Sequence, residues 1–209
     1  MPDTLVALGV ILGLTLTALL FLANIERKFE FWPTPGNESW QGLLFWGLFR
    51  GLNLTVLALA LVCWQPWREF TDARVLGAGL AVSFFVLYGG ALRSLGRANV
   101  YCGRDGLVTD GIYAWTRNPQ YAAAIPAYLG LAIASGSAAV LGVTVLLMLS
   151  FALMAFAEER WLEAAYGAEY RAYKRAVPRF YNWRRAWAFL KQELLSAKRT
   201  SDEPVSERP

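Results

Sequence analysis

The stretch Gly106-Leu-Val-Thr-Asp-Gly-Ile-Tyr-Ala-Trp-Thr-Arg-Asn-Pro-Gln-Tyr121 decides how this chain is read. It is the longest polar-rich passage between strongly apolar ones, and Gly106, Gly111 and Pro119 punctuate it. Asn118-Pro119 is a turn-initiating pair. Tyr113, Arg117, Asn118 and Tyr121 supply four groups able to hold a charged or polar ligand. Irregular backbone flanked by apolar runs is tolerated at a membrane surface, or where it lines a cavity. The rest of the chain reads as a device for holding this loop against a second, acidic stretch, Glu158-Glu159.

Working outward, the apolar runs have the length of membrane crossings. Thr4 to Ala23 is almost uninterrupted, about the ~20 residues that cross a bilayer. Gln41 to Trp64 is a second span, with Arg50 and Asn53 near its middle and three apart, hence on one helical face. Arg50 either lines a polar cavity or snorkels to the headgroups. Val75 to Leu92 is a third span. After the loop, Tyr121 to Ala134 and Ala138 to Ala157 form a helical hairpin about Ser135-Gly136-Ser137, the first arm short or kinked at Pro126. The helix then continues through Glu158-Glu159 to a stop at Gly167. An amphipathic stretch with Tyr170, Tyr173, Lys174 and Arg175 ends before Pro178, and Trp183 to Lys198 predicts a surface helix ahead of a polar, disordered tail.

The expected fold is therefore all-α: a multi-pass transmembrane helical bundle of about five spans with cytosolic C-terminal helices. Residues 1–95 form the N-terminal transmembrane helices, 96–180 a core of loop, hairpin and acidic motif, and 181–209 a surface helix and tail. Basic residues gather on the side of the loop and the C-terminal region, and only Arg68 and Arg74 fall on the other. The positive-inside rule then puts the N-terminus outside, with the loop, the acidic pair and the C-terminus in the cytoplasm.

Composition agrees and excludes much else. The 209 residues are 56% hydrophobic with a net charge of +4, and the mean hydropathy is +0.34. Basic residues beside transmembrane runs point to anionic membrane lipids, not to nucleic acid. The absence of histidine removes histidine bases and the usual zinc sites, so no metal is expected. Cys63 and Cys102 stand alone on different segments. No strand pattern or glycine-rich nucleotide fingerprint is present, which excludes a Rossmann cofactor domain.

The chemistry rests on few groups. Glu158 and Glu159 sit where a helix leaves the membrane, and that helix runs on past them, whereas carboxylates favour helix N-termini. They are either ordinary flanking acids or a site for a ligand carrying positive charge. Arg117 holds a carboxylate or anchors to lipid phosphate. Tyr113 and Tyr121 are either ligand contacts or interfacial belt aromatics. Tyr166, Tyr170 and Tyr173 form a stripe better suited to packing than to a ligand cage.

Taken together, GLVTDGIYAWTRNPQY, a helical hairpin and EERWLEAAYGAEYRAYKRAVPRF resemble the isoprenylcysteine carboxyl methyltransferases and the related phospholipid methyltransferases. The pattern is Gly-x-Tyr, Arg-His-Pro-x-Tyr, and Glu-Glu with Gly eight residues on, then Tyr-x-x-Tyr. Glu159 to Gly167 has that spacing, and Tyr170 and Tyr173 take the tyrosine places. The resemblance covers roughly residues 95 to 180. It implies an integral membrane enzyme using S-adenosylmethionine without a Rossmann fold, with a lipophilic acceptor entering from the bilayer and the oligomeric state left open. Cofactor contacts carried over are Leu107, Val108, Tyr113, Asn118, Pro119, Gln120, Tyr121, Glu158 and Glu159, with Arg117 and Glu158 as catalytic groups. Asn118 stands where the family most often has histidine. Met154 stands near the place of a substrate-binding arginine, so Arg50 or Arg117 takes over that task. Two other readings share the helical core: an NADPH-dependent sterol-type membrane reductase, whose cofactor phosphates want more cations than Arg104 and Arg117 provide, and a non-catalytic membrane adaptor.

Overall fold

A computed structural model describes residues 2–26, 28–64, 71–101 and 106–181. Arg27, Arg68, Cys102, Arg104 and all of the 181–209 segment except Tyr181 lie outside the described residues, and with them the expected helix over Trp183–Lys198 and the tail. The helices are α1 (Pro2–Ile25), α2 (Trp40–Val62), α3 (Asp72–Leu95), the single turn α4 (Arg97–Val100), α5 (Pro119–Ser135) and α6 (Ala138–Ala176). A 3-10 turn over Gly111–Ala114 interrupts the loop. The described residues are all-α, as expected. Four helices, α1, α2, α3 and α6, are long and apolar enough to cross a membrane. The fifth expected span, α5, is 17 residues, at the short limit for a crossing.

Each boundary has a local cause. The Ser39 hydroxyl accepts from Gly42 N at 3.0 Å, satisfying one free donor at the start of α2. Pro119 occupies the first turn of α5, where its missing N–H costs nothing. Gly136, at φ 70°, ends α5 in the left-handed conformation that glycine takes readily. The expected stop at Gly167 is corrected to a kink. Its backbone turns to φ 52°, ψ −118°, and the helix resumes as far as Ala176. One positive-φ residue redirects a helix without ending it when the chain beyond finds packing, which Tyr170, Tyr173 and Val177 provide.

Polar groups and small residues hold the bundle together. Gly9 and Gly13 of α1 meet α6 at Val143 and Leu146. A Cβ on Gly9 would stand 2.6 Å from Val143 Cγ1. Between the same helices Thr17 Oγ1 lies 3.1 Å from Ser150 Oγ, and Asn24 Nδ2 donates to Leu153 O at 3.0 Å. Arg160 Nη2 reaches Ala23 O at 2.7 Å and caps the end of α1. In lipid, small residues and interhelical hydrogen bonds take the part that apolar burial plays in water. α3 and α5 pack through Gly77 and Gly130, where a Cβ on Gly130 would sit 2.6 Å from both Ala81 N and Gly77 O. At the far end of that pair, buried Arg74 donates from Nε to Ala134 O at 2.9 Å.

These contacts fix the topology. The end of α1 and the α6 residues just past the span are joined by Arg160, and the start of α5 lies at the same end. The loop and the acidic pair thus share one face of the bundle.

Because the atoms facing Gly130 are backbone, Gly130→Val cannot be relieved by a rotamer change and is expected to cost about 1–3 kcal/mol. Gly79, with nothing within 4 Å of an added Cβ, is the control: Gly79→Ala should leave the melting temperature in detergent unchanged or slightly higher. Equal melting of the two variants would contradict the close α3–α5 approach.

Candidate active site

Glu159 is the hub of the loop. It is 2% exposed, yet its carboxylate is fully ligated. Arg117 donates to it from Nε at 3.3 Å and from Nη2 to both oxygens at 3.1 Å. Arg179 donates from Nε to Oε1 and from Nη2 to Oε2, each at 3.0 Å. Asn118 Nδ2 adds a bond at 2.8 Å. A buried charge survives only when paired and hydrogen-bonded in this way.

The same residues draw in the segment that follows α6. Arg117 Nη1 donates to Lys174 O at 2.9 Å and to Val177 O at 2.5 Å, and Arg117 N donates to Pro178 O at 2.9 Å. Thr116 Oγ1 donates to Arg179 O at 3.0 Å. Further along, Pro126 lacks the N–H that would bond Ala122 O within α5. The Tyr181 hydroxyl donates to that carbonyl. Residues 177–181 are thus stitched across the loop and onto α5.

Glu158, the adjacent acid, is used differently. It is partly buried and lines two adjoining hollows, which also share Leu95, Asn99 and Trp161. The larger is a cavity of about 210 Å³ with Trp46, Arg50, Tyr121 and Met154 in its wall. The smaller, about 40 Å³, is walled by Leu107, Val108, Tyr113, Tyr166 and Tyr173, with Arg117 at its edge. Tyr121 OH donates to Glu158 Oε2. Trp32, 8% exposed, lies close enough to the carboxylate to lower its pKa, yet its indole N–H closes no hydrogen bond. Just past the membrane-crossing part of α6, burial pushes the Glu158 carboxyl up to about 7; the Tyr121 hydrogen bond opposes this and the Glu159 charge adds to it. Burial, reinforced by Glu158, raises the Tyr113 phenol well above its ordinary value. Tyr113 therefore remains a neutral donor, bonded to Gln120 Oε1 at 3.1 Å.

The expected residues divide accordingly. Leu107, Val108 and Tyr113 face the smaller hollow, and Gln120, Tyr121, Arg50 and Met154 face the larger. Glu158 faces both. Pro119 starts α5, and Asn118, 1% exposed, is turned to Glu159 and to Arg179 O. Arg117, expected to meet a substrate, instead has all three guanidinium nitrogens bonded to protein. Of the tyrosine stripe, Tyr170 and Tyr173 pack in a small core, with Tyr166 at its margin. Sequence reasoning missed Trp161, Asn99, Trp32 and Arg179. Trp161 had a signal, since it lies three residues after Glu158 and so shares its helical face.

Residues 73–169 match the family model described as phospholipid methyltransferase. This segment is similar to that family. The match runs from the start of α3 to just past Gly167, a little under half of the chain. The match and the long apolar helices agree on an integral membrane protein. The match takes in the loop and both acids. It leaves out α1 and α2, and it stops short of Arg179 and the tyrosine pair. No curated protein and no solved structure matches the chain.

Removing one partner of a buried ion pair leaves the other charge uncompensated, at about 3–5 kcal/mol. Glu159→Gln, leaving two arginines without their carboxylate, should therefore lower the melting temperature markedly. Glu163→Gln, which breaks only the exposed pair with Lys174, should not. If both variants melted alike, the hub would not be what holds the loop.

Proposed function

We propose that this chain is an S-adenosylmethionine-dependent methyltransferase of the membrane, resembling the isoprenylcysteine carboxyl methyltransferases and acting on a lipophilic acceptor. The observation that carries the reading is Glu158, a half-buried carboxylate common to two adjoining hollows and surrounded by aromatic rings. Such a carboxylate suits a ligand that is cationic at its amine and its sulfonium. The unpartnered Trp32 N–H is a further donor beside it, and the faces of Tyr113, Tyr166 and Tyr173 offer cation–π contact from the smaller hollow.

Bound there, the cofactor would supply an electrophilic methyl group. The chain's own part is positional. Leu107, Val108, Tyr113 and Glu158 hold the cofactor's side of the site. Tyr121, Gln120 and Met154 shape the acceptor's side, and apolar walls exclude water so that the two reactants meet in alignment. Arg117, Asn118, Glu159 and Arg179 act through the loop's shape without touching either reactant. With histidine absent and Tyr113 held neutral, Glu158 is the group near the junction that titrates around neutrality. An acceptor amine or thiol would give its proton up there or to solvent; an acceptor carboxylate has none to lose.

The nicotinamide alternative is less well supported. The one cation at the smaller hollow is Arg117, among the described residues, and its donors are already engaged. Lys28, Arg93, Arg97, Lys174 and Arg175 support, through the positive-inside rule, a reading with the site in the cytoplasm and the N-terminus outside.

Calorimetric titration of the detergent-purified protein tests this. S-adenosylmethionine should bind saturably, a nicotinamide dinucleotide should not, and Glu158→Gln should weaken binding about tenfold or more, as for a lost charge-assisted hydrogen bond. The pH dependence has a definite sign. A cation binds the ionised carboxylate, so affinity should be full above about 7 and fall as pH drops through the raised pKa of Glu158, by up to about tenfold per unit. The variant should lose that slope. A folded wild type that ignores the cofactor would refute the proposal.

A further inference from the structure

The two hollows share a wall, and anything handed from one to the other crosses it. Among the described residues, Leu95, Asn99, Glu158 and Trp161 line both sides. Each brings different chemistry. Leu95 is apolar. Asn99 turns its amide nitrogen back to Leu95 O and Gly106 O, each at 3.3 Å. Glu158 accepts from the Tyr121 hydroxyl. Trp161 is the aromatic ring that the two hollows have in common.

Glu158 and Trp161 lie three residues apart in α6, so a carboxylate and an indole stand on one helical face at the junction. That combination suits a cation, because the carboxylate supplies full charge and the ring supplies the negative face of its quadrupole. Tryptophan is the strongest of the aromatic side chains in this respect, and the contact is worth most where water is excluded. The tyrosines differ in reach. Tyr113, Tyr166 and Tyr173 wall the smaller hollow and do not line the larger. A charge at the boundary between the hollows therefore meets Trp161, not the tyrosine faces.

We propose that Trp161 is the specificity-determining residue for the charge state of the cofactor: its indole holds a sulfonium at the junction and does not hold the neutral thioether that remains after transfer. This rests on reading the site as a methyltransferase's. Charge balance gives the reason. When the methyl group moves, the carbon–sulfur bond breaks with its electron pair going to sulfur, and a lone pair of the acceptor makes the new bond to carbon. Sulfur starts with a positive charge and ends with none. The amine is unchanged by the reaction, so a carboxylate that binds the amine holds spent and fresh cofactor alike. A ring against the sulfur feels the difference. Spent cofactor loses the contact at Trp161 and exchanges the more readily for fresh.

The test titrates the full chain in detergent with S-adenosylmethionine and with S-adenosylhomocysteine, by calorimetry. The probes differ by a methyl group and a charge, so the ratio of their affinities isolates the sulfonium. Trp161→Leu should lower the preference for the charged probe by about five- to thirtyfold, with Trp161→Phe in between. A ring that only packs would weaken both probes alike; an unchanged ratio in Trp161→Leu overturns the proposal and leaves the methyltransferase reading standing. If the leucine form folds poorly, fluorinated tryptophans placed at position 161 alone keep the shape of the side chain and withdraw its π density in steps. Affinity for S-adenosylmethionine should then fall with each added fluorine while that for S-adenosylhomocysteine holds, and a flat response overturns the proposal. A folded wild type that binds neither probe refutes the methyltransferase reading and this inference with it.

Discussion

The buried carboxylate of Glu159 is the constraint on which the loop depends. Two arginines and an asparagine converge on it, on α6, from two separate stretches of chain, the loop and the segment after α6. Taking such a charge out of water is expensive, and only dense, well-aligned pairing offsets it. Once satisfied, the cluster leaves the loop little freedom, because Arg117 also ties down carbonyls at Lys174 and Val177. Neighbouring acids in sequence thereby acquire opposite tasks. Glu159 is consumed by structure, which leaves Glu158 facing space.

That division explains how a site made of loop and helix ends can be rigid. Helices hold functional groups better than loops do, and here the loop is tied to helices at both margins. Asn99 Nδ2 bonds Gly106 O at 3.3 Å where the described loop begins, and the Tyr173 hydroxyl bonds Tyr113 O at 2.6 Å farther on. Asn118 fits the same logic. Where the family pattern has histidine, an asparagine makes two hydrogen bonds at once and carries no charge that changes with pH. Its place is in the scaffold, one step behind the surface that a ligand would meet.

Much of this was legible in the chain itself. Apolar runs marked the helices, Ser135-Gly136-Ser137 marked the end of α5, and the family pattern singled out the loop and both acids before any geometry was known. What escaped was which acid did what. Nothing in the order Glu158-Glu159 distinguishes them; the difference comes from helical phase, which turns one carboxylate toward Arg117 and Arg179 and the other toward the hollows. Nor were the partners of Arg117 legible: they include backbone carbonyls of residues 174 and 177, and sequence pattern carries no trace of such bonds. Gly167 looked like a terminator because glycine so often is one. Only the packing of Tyr170 and Tyr173 beyond it shows why the helix resumes.

The stitching of residues 177–181 bears on the order of assembly. The described helices all precede this segment in the chain, and the four long enough to cross a membrane can enter it as they are synthesised. Arg117 and Asn118 are made long before Arg179, and Ala122 O waits for Tyr181. The loop therefore receives its last partners only after the entire bundle is in place. Insertion and maturation become two separate events, and a chain that has completed the first but not the second is a membrane protein without a finished site.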